Sequence, residues 1–341
     1  MSWLAVLGSL TWLGLPLSCS TETPLPSGSG GAGGQAVSAS GGVSSGGAPS
    51  GGAETMGTGG QLPSSGGSPP AVGGGSGGSA EQTGGAESSG GSGGGAEEPA
   101  VRELFILFGQ SNMAGSSPIE PQDRTEDPRI EVLGMYDCPE LGRAYNVWSV
   151  AAPPLHSCGG ELGPGDYFAK TLAAAWPDAQ IGLIPNGVPA VEIDFFRKGM
   201  ISKEDQPYKE LPEDWNSAYD MMVARTLLAM ETGRVRGILF HQGESDNEQS
   251  AWVGKVAEII ADLRADLGIG EAVPFFPGEL PPTGCCGAHN TYVNQLKTVI
   301  PNTVVVSAAG LSQTDQHFDT ASMRTLGERY ADALLELMPT P

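Results

Sequence analysis

Apolar residues from position 104 onward fall into short continuous runs, and these alternate with segments of helical spacing. The runs predict five buried β-strands, at residues 104–108, 181–184, 238–240, 273–276 and 303–306. Apolar side chains recurring every three to four residues predict five amphipathic helices, at residues 167–176, 215–230, 252–267, 292–300 and 323–337. Strands that are apolar throughout are typical of a parallel sheet covered by helices on both faces. The pattern therefore predicts an α/β domain around a five-stranded parallel sheet.

The chain begins with a different pattern. Residues 3–17 are mostly apolar, and the run is shorter than the roughly 20 residues that a membrane-spanning helix needs. It is typical of the core of a signal peptide, which we assign to residues 1–18. Cys19 follows the small residue Ser18, an arrangement that resembles a bacterial lipoprotein cleavage site. We expect Cys19 to be lipidated; the alternative is an ordinary secretory signal with an incidental cysteine.

Residues 19–98 have the composition of a linker. Ser20 to Glu98 contains 28 glycines, and no lysine or arginine precedes Arg102. Such a segment buries too little apolar surface to offset its conformational entropy, so we expect it to be disordered. A flexible chain of this length has a reach of roughly 50 Å, which suits a tether.

Charge narrows the range of partners. The net charge is −22, and all 17 basic residues but only 33 of the 39 acidic residues lie in residues 99–341. An acidic domain without a basic arm argues against nucleic acid and against anionic polymers as ligands. A neutral polysaccharide suits it better, although solubility alone explains the charge equally well.

Chemically active residues follow the predicted strands. Gly-Gln-Ser-Asn-Met occupies positions 109–113 after the first strand, His-Gln-Gly-Glu-Ser-Asp occupies 241–246 after the third, and Asp315 and His317 precede the last helix. The carboxyl ends of parallel strands meet at one edge of a sheet, which is where α/β proteins carry their sites. A hydroxyl, a base, a carboxylate and amide donors at that edge are what nucleophilic acyl transfer requires.

These motifs resemble those of the SGNH (GDSL-like) hydrolases, and more closely carbohydrate esterase family 6 and the sialate O-acetylesterase-like proteins. The resemblance spans residues 102–338. It implies a three-layer α/β/α flavodoxin-like SGNH hydrolase fold for residues 99–341. It also implies the removal of acetyl groups from sugars or from polysaccharides such as xylan, without a metal or a cofactor.

The resemblance carries over to single residues. Ser111 is the expected nucleophile, His317 the general base and Asp315 the acid that orients His317. The family spacing is Asp-x-x-His, whereas this chain has Asp315-Gln316-His317, one residue shorter. Three alternatives to Asp315 therefore stay open: Asp319, another acid, or a Ser–His dyad.

The oxyanion hole departs from the family as well. The expected donors are the Ser111 N–H, the Ala190 N–H and the Gln242 side chain. Pro189, which has no N–H, stands where the family usually has a small residue. Further residues are expected to support the site or line its pocket: Gln110, Asn112, Glu244, His289 and Asn290.

Four cysteines lie in the predicted domain. Adjacent cysteines pair poorly, so we expect Cys138 to bond Cys158, or each of them to bond one of Cys285 and Cys286. Exported proteins commonly form such disulfides. The sequence offers no spacing typical of a metal site, and His156 and His241 are expected to be structural.

We therefore predict an exported carbohydrate O-acetylesterase, either a lipoprotein of the bacterial cell envelope or a secreted protein, with an acetylated carbohydrate as its substrate. Contact with a membrane is expected only through a lipid on Cys19. One alternative is a general short-chain carboxylesterase or lipase of the same fold. The other, motivated by Pro189 and the shortened Asp315–His317 spacing, is a weakly active or non-catalytic surface carbohydrate-binding protein.

Overall fold

The computed structural model describes residues 101–200, 211, 212, 215 and 217–341. The predicted signal peptide, the linker and Cys19 lie outside these residues. The described chain has an α/β fold with a mixed six-stranded sheet, in the strand order β3-β2-β4-β1-β5-β6. Its strands are β1 (Arg102–Gly109), β2 (Ile130–Leu133), β3 (Trp148–Val150), β4 (Gln180–Gly187), β5 (Gly233–His241) and β6 (Phe275–Pro277).

Six helices accompany the sheet: α1 (Ser111–Ala114), α2 (Pro164–Ala175), α3 (Ala218–Met230), α4 (Trp252–Leu267), α5 (Asn290–Val299) and α6 (Thr320–Leu337). Polar caps fix two of their starts, because the Ser217 side chain accepts the Asp220 N–H and the Asp319 carboxylate accepts the Ser322 N–H. Gly268 adopts a left-handed conformation that ends α4. All five helices predicted from the apolar spacing are present.

The predicted sheet is only partly correct. Four of the five predicted strands form, as β1, β4, β5 and β6. Residues 303–306 instead make two isolated parallel bridges, from Thr303 to Phe275 and from Val306 to Gly278. The prediction also missed β2 and β3, and β3 runs antiparallel to β2, so the sheet is not purely parallel. The edge strand β3 is only partly buried and three residues long, so it carries no apolar run to detect.

Side chains of the central strand β1 alternate between two hydrophobic clusters. Leu104, Ile106 and Phe108 pack with side chains of α3, α4 and α5. Phe105 and Leu107 pack with side chains of α2 and α6. Each such side chain contributes about 1.5–3 kcal/mol by leaving water. The central strand is therefore buried by helices on both of its faces.

Strands β4, β1 and β5 end level with one another. Gly109, the last residue of β1, pairs with Gly187 on β4 and with His241 on β5. A Cβ atom on Gly109 would lie 2.0 Å from the His241 carbonyl oxygen, so only glycine fits at this crossing. The loops that follow the three strands therefore emerge side by side.

Two disulfides are present among the described residues. Cys138 bonds Cys158, which is one of the pairings expected from the sequence. Cys285 bonds its neighbour Cys286, so the expectation that adjacent cysteines would not pair is wrong. No helix in the described part of the chain is long and apolar enough to cross a membrane.

Candidate active site

A serine and a histidine meet at the carboxyl end of the central strands. Ser111 is the first residue of α1, directly after β1 and Gln110. Its Oγ lies 2.8 Å from Nε2 of His317. Both residues are partly exposed, so a substrate can reach them. A hydroxyl hydrogen-bonded to an imidazole is the arrangement in which the imidazole can take the hydroxyl proton during nucleophilic attack.

His317 lies on a very short hairpin. Strand β7 (Gln313–Thr314) pairs antiparallel with β8 (His317–Phe318), and Asp315 and Gln316 form the turn between them. Asp315 has a positive φ of 54° and is exposed. Among the described residues, no hydrogen bond joins the Asp315 carboxylate to His317. The structure therefore places Asp315 in a tight two-residue turn, where its carboxylate does not orient His317 through a hydrogen bond.

Glu244 is a buried carboxylate that Asn112 connects to the hairpin carrying His317. Its Oε1 accepts a 2.7 Å hydrogen bond from Asn112 Nδ2 and lies 3.7 Å from His241 Nδ1. Burial raises the pKa of Glu244, opposed chiefly by the Asn112 hydrogen bond. Burial lowers the pKa of His317, while the nearby charges of Glu244 first and Asp315 second raise it. Of the two carboxylates, Glu244 therefore contributes more to raising the pKa of His317.

Asn112 joins the serine helix to the histidine hairpin. Its Nδ2 also donates to the Gln316 carbonyl (3.0 Å), and its Oδ1 accepts the Phe318 N–H (3.2 Å). These two residues flank His317 on either side. The fully buried Asn112 side chain therefore holds the backbone of the hairpin at a set distance from Ser111, in keeping with its predicted supporting role.

The structure does not support Gln242 as an oxyanion donor. Its Nε2 donates to three protein acceptors, Gln110 Oε1 (3.1 Å), the Val191 carbonyl (3.2 Å) and Asp246 Oδ2 (2.5 Å). Its oxygen accepts from Trp252 Nε1, which can only donate, so the orientation of the amide is set. The N–H donors of Gln242 are occupied and only 1% of its surface is exposed. Its side chain therefore binds other parts of the protein rather than a substrate.

Gln242 and Asp246 together hold the loop that follows β4. Gln242 donates to the Val191 carbonyl, and Asp246 Oδ2 accepts the Ile193 N–H at 2.8 Å. Gln110 holds the loop that follows β5, because its Oε1 accepts the Ser245 N–H at 3.2 Å. Asp246 is buried, and burial raises its pKa to about 6.

The loop held in this way contains Pro189 and Ala190. Both are exposed, directly beyond β4 and next to the end of β1, since the Val188 N–H donates to the Gly109 carbonyl at 2.9 Å. Ala190 has a φ of 54°, in the left-handed region that favours glycine. The loop thus retains a glycine-like backbone shape although its residues are proline and alanine.

The remaining predicted residues are structural. His289 is fully buried and packs edge-to-face against Trp252, so it does not line an open pocket as expected. Asn290 exchanges two hydrogen bonds with the backbone of Leu280. His156 and His241 are buried, as expected, and His156 Nδ1 accepts the Gly187 N–H at 2.8 Å. Burial lowers the pKa of His156 to about 3 and that of His241 to about 4.

Sequence reasoning missed the roles of Asp246 and Gln313. Asp246 follows Gln242 by only four residues, and this short separation could have indicated their contact. The Gln313 side chain binds a loop distant in sequence, at Thr283, and no sequence pattern indicates this. One group among the described residues has metal-ligand geometry, Cys138 with Glu140 and Cys158, but its two sulfurs are joined in a disulfide and are not thiolate ligands.

Comparison with known proteins gives a consistent result. Residues 101–336 match the family described as carbohydrate esterase, sialic acid-specific acetylesterase (SASA). A probable carbohydrate esterase of Arabidopsis thaliana, At4g34215, is 26% identical over 256 residues, covering 68% of this chain and 90% of the relative. Its solved structure matches with a TM-score of 0.57 at 25% identity, covering 69% of this chain and 98% of that one.

Two further solved structures share the fold. NanS matches with a TM-score of 0.54 at 16% identity, covering 70% of this chain and 98% of its own. XAC1771, described as a novel carbohydrate acetylesterase from Xanthomonas citri, matches with a TM-score of 0.52 at 19% identity, covering 69% of this chain and 56% of its own.

Proposed function

The chain belongs to the carbohydrate esterase family of sialic acid-specific acetylesterases, and we propose that it hydrolyses acetyl esters of carbohydrates with Ser111 as nucleophile and His317 as general base. The observation that carries the proposal is the 2.8 Å contact between Ser111 Oγ and His317 Nε2 at the end of the central strands. The finer fold, a three-layer SGNH hydrolase, is supported by the hydrophobic clusters on both faces of the sheet.

The reaction proceeds in two halves. Ser111 Oγ attacks the acetyl carbonyl carbon while His317 Nε2 takes its proton. The bond from that carbon to the sugar oxygen then breaks, and His317 returns the proton to the leaving sugar hydroxyl. A water molecule attacks the acetyl-serine with His317 again as base, acetate leaves, and the proton returns to Ser111.

The negative oxygen of each tetrahedral intermediate needs donors. Ser111 supplies its own N–H, which has no acceptor within its helix because it lies in the first turn. Ala190 supplies the second N–H from the loop beyond β4. Removing one such donor costs on the order of 10²–10³ in rate, so the shape of the Pro189–Ala190 loop governs the turnover number.

A negative charge stabilises the protonated His317 that forms in each half-reaction. Glu244 is a candidate for that charge, because its charge is the first of the causes that raise the pKa of His317, and the Asn112 hydrogen bond opposes the effect of burial on the pKa of Glu244 itself. Asp315 remains the acid that the family resemblance assigns. The pH dependence of the reaction is expected to change on removal of whichever carboxylate stabilises the protonated His317.

The substrate in this proposal is a neutral acetylated polysaccharide such as acetylated xylan. The acidic domain disfavours anionic polymers. The enzyme acts outside the cytoplasm, tethered by a lipid on Cys19 or secreted. The two disulfides support this, because disulfides persist in oxidising compartments.

The test is acetate release from acetylated xylan and other acetylated glycans by wild type and by Ser111→Ala. We expect release by wild type and a loss of about 10³-fold or more in the variant. Esters of longer acyl chains distinguish a general carboxylesterase, which hydrolyses them as fast as acetyl esters. If wild type binds acetylated glycans but releases no acetate from any of them or from a model ester, the protein is a binding module and the proposal is wrong.

A further inference from the structure

The hairpin that carries His317 is too small to hold its own position. Its strands are two residues each, and the ladder consists of Gln313 with Phe318 and Thr314 with His317. Isolated hairpins are marginally stable even when they are longer. Asn112 fastens the hairpin on the side of Ser111. Ser117 Oγ also donates to the Phe318 carbonyl at 2.7 Å. None of these contacts reaches Gln313 or Asp315, so that part of the hairpin is held by a further attachment.

The side chain of Gln313 provides that attachment. Its Oε1 accepts the Thr283 N–H (3.1 Å) and the Thr283 hydroxyl (3.0 Å), and its Nε2 donates to the Thr283 carbonyl (2.8 Å). The same Nε2 donates at 2.6 Å to the carbonyl of Asp315, in the turn of the hairpin. One amide thus binds both the hairpin turn and a separate loop.

The loop that receives Gln313 is itself anchored. Two residues beyond Thr283, the Cys285 carbonyl accepts a 2.9 Å hydrogen bond from Asn247, in the loop that follows β5. Cys285 is bonded to Cys286, which is 2% exposed. The segment Thr283–Cys286 is therefore attached to the body of the domain rather than free to follow the hairpin.

The absence of a side chain at Gly284 leaves room for the Gln313 amide beside this loop. Its φ is +76°, and a Cβ atom there would lie 2.8 Å from Gln313 Nε2. A side chain at this position would strain the backbone and displace the amide. The contact therefore depends on a glycine in the loop as well as on Gln313 in the hairpin.

We propose that Gln313 is a positioning residue, which fixes the His317 imidazole at hydrogen-bonding distance from Ser111 by joining the hairpin turn to the Thr283–Cys286 segment. The inference rests on the proposed function, in which His317 is the general base. Gln313 touches neither the reacting atoms nor His317 and acts through the backbone of the hairpin. A misplacement of a catalytic group by about 1 Å costs roughly 10²-fold in rate.

The test compares Gln313→Ala, Gln313→Glu and Gly284→Ala with Gln295→Ala, a control at an exposed position of α5. We expect Gln313→Ala to lower kcat for acetate release by about 10- to 100-fold with KM changed by less than about twofold. Gln313→Glu keeps the acceptor for Thr283 but sets a carboxylate oxygen against the Thr283 and Asp315 carbonyls, so its kcat is expected to fall at least as far as that of Gln313→Ala. Gly284→Ala lowers kcat with the hairpin sequence intact, and the control is unchanged.

Two further measurements separate positioning from general damage. The far-ultraviolet circular dichroism spectrum of Gln313→Ala is expected to match that of wild type, which shows that the variant is folded under the assay conditions. Amide hydrogen exchange in residues 313–318 is expected to speed up several-fold, whether or not the protein proves to be an esterase. Wild-type kcat together with unchanged exchange in Gln313→Ala would overturn the inference and leave the proposed function standing. Absence of acetate release by wild type would overturn the proposed function, and the exchange result would still decide whether Gln313 holds the hairpin.

Discussion

The polar side chains around Ser111 differ in how clearly their residue types indicate their roles. Ser111 and His317 could be predicted, because a serine after a buried strand and a late histidine fit an expected chemistry. Gln242 could not, because its N–H donors bind Val191 and Asp246 and its oxygen accepts from Trp252. Glu244 was similarly underestimated, since its connection to the His317 hairpin runs through Asn112, which lies far from both in sequence.

The acid that acts on His317 can be identified from pH profiles. His317 is the base only when neutral, so kcat/KM falls as the pH drops through its pKa. Glu244 raises that pKa, and Glu244→Gln removes the charge while keeping an acceptor for Asn112. We expect the acidic limb of the kcat/KM profile to move to lower pH in Glu244→Gln, and to move less in Asp315→Asn.

The control for this comparison is Glu248→Gln, the same change at an exposed position of the same loop, and its profile should match wild type. A shift in Asp315→Asn without one in Glu244→Gln would restore Asp315 to the role that the family resemblance gives it.

Ala190 offers a second test on a single residue. Its φ of 54° costs a residue with a Cβ about 1–2 kcal/mol, whereas glycine adopts it freely. Glycine also gives the unfolded chain more freedom, which offsets about 0.4–1 kcal/mol. We expect Ala190→Gly to raise the free energy of unfolding by up to about 1.6 kcal/mol, measured by urea denaturation.

Ala261→Gly, within the helix α4, is the matched control for Ala190→Gly. It should lower the free energy of unfolding by about 1 kcal/mol, because glycine has a poor helix propensity. A loss of similar size in both variants would contradict the strain that we assign to Ala190.

Strands and helices followed the apolar pattern where they are buried on both faces. β1, β4 and β5 carry unbroken apolar runs and were predicted, whereas the edge strand β3 is partly exposed and was not. The hairpin β7–β8 could not be predicted, because strands of two residues leave no periodicity. The shortened Asp315–His317 spacing signalled an altered turn there but not its geometry.

The two disulfides are expected to stabilise the fold unequally. Cys138 and Cys158 are 20 residues apart, and closing a loop of this length stabilises the folded state by about 3 kcal/mol. Cys285 and Cys286 are adjacent and close no loop of comparable size. We expect Cys138→Ser/Cys158→Ser to lower the free energy of unfolding by about 3 kcal/mol and Cys285→Ser/Cys286→Ser to lower it by less than about 1 kcal/mol. Equal losses would show that loop closure does not govern their contributions.

Across the whole chain, composition distinguishes an acidic domain from the glycine-rich segment that precedes it. The matched family covers residues 101–336, and the glycine-rich residues precede it. Of the net charge of −22, most belongs to residues 99–341, so the acidic character is a property of the domain. A tethered acidic esterase would meet neutral polymers more readily than anionic ones.

The attachment of the protein can be tested at Cys19. Mass spectrometry of the mature N-terminus, with and without globomycin, is expected to find a lipid-modified Cys19 that the inhibitor abolishes. Cys19→Ala should lose the modification and leave the membrane fraction. A mature N-terminus at another residue with no lipid would mean that the protein is secreted.

The most direct test is to identify the residue that carries the acetyl group during turnover. Wild type is mixed with an acetylated glycan or p-nitrophenyl acetate, quenched in acid within a turnover, and digested for mass spectrometry. We predict an acetyl group on Ser111 that is absent in Ser111→Ala and disappears as acetate is released. Acetate release at the wild-type rate by Ser111→Ala, or an acetyl group on a different residue that turns over, would contradict the assignment of Ser111 as the nucleophile.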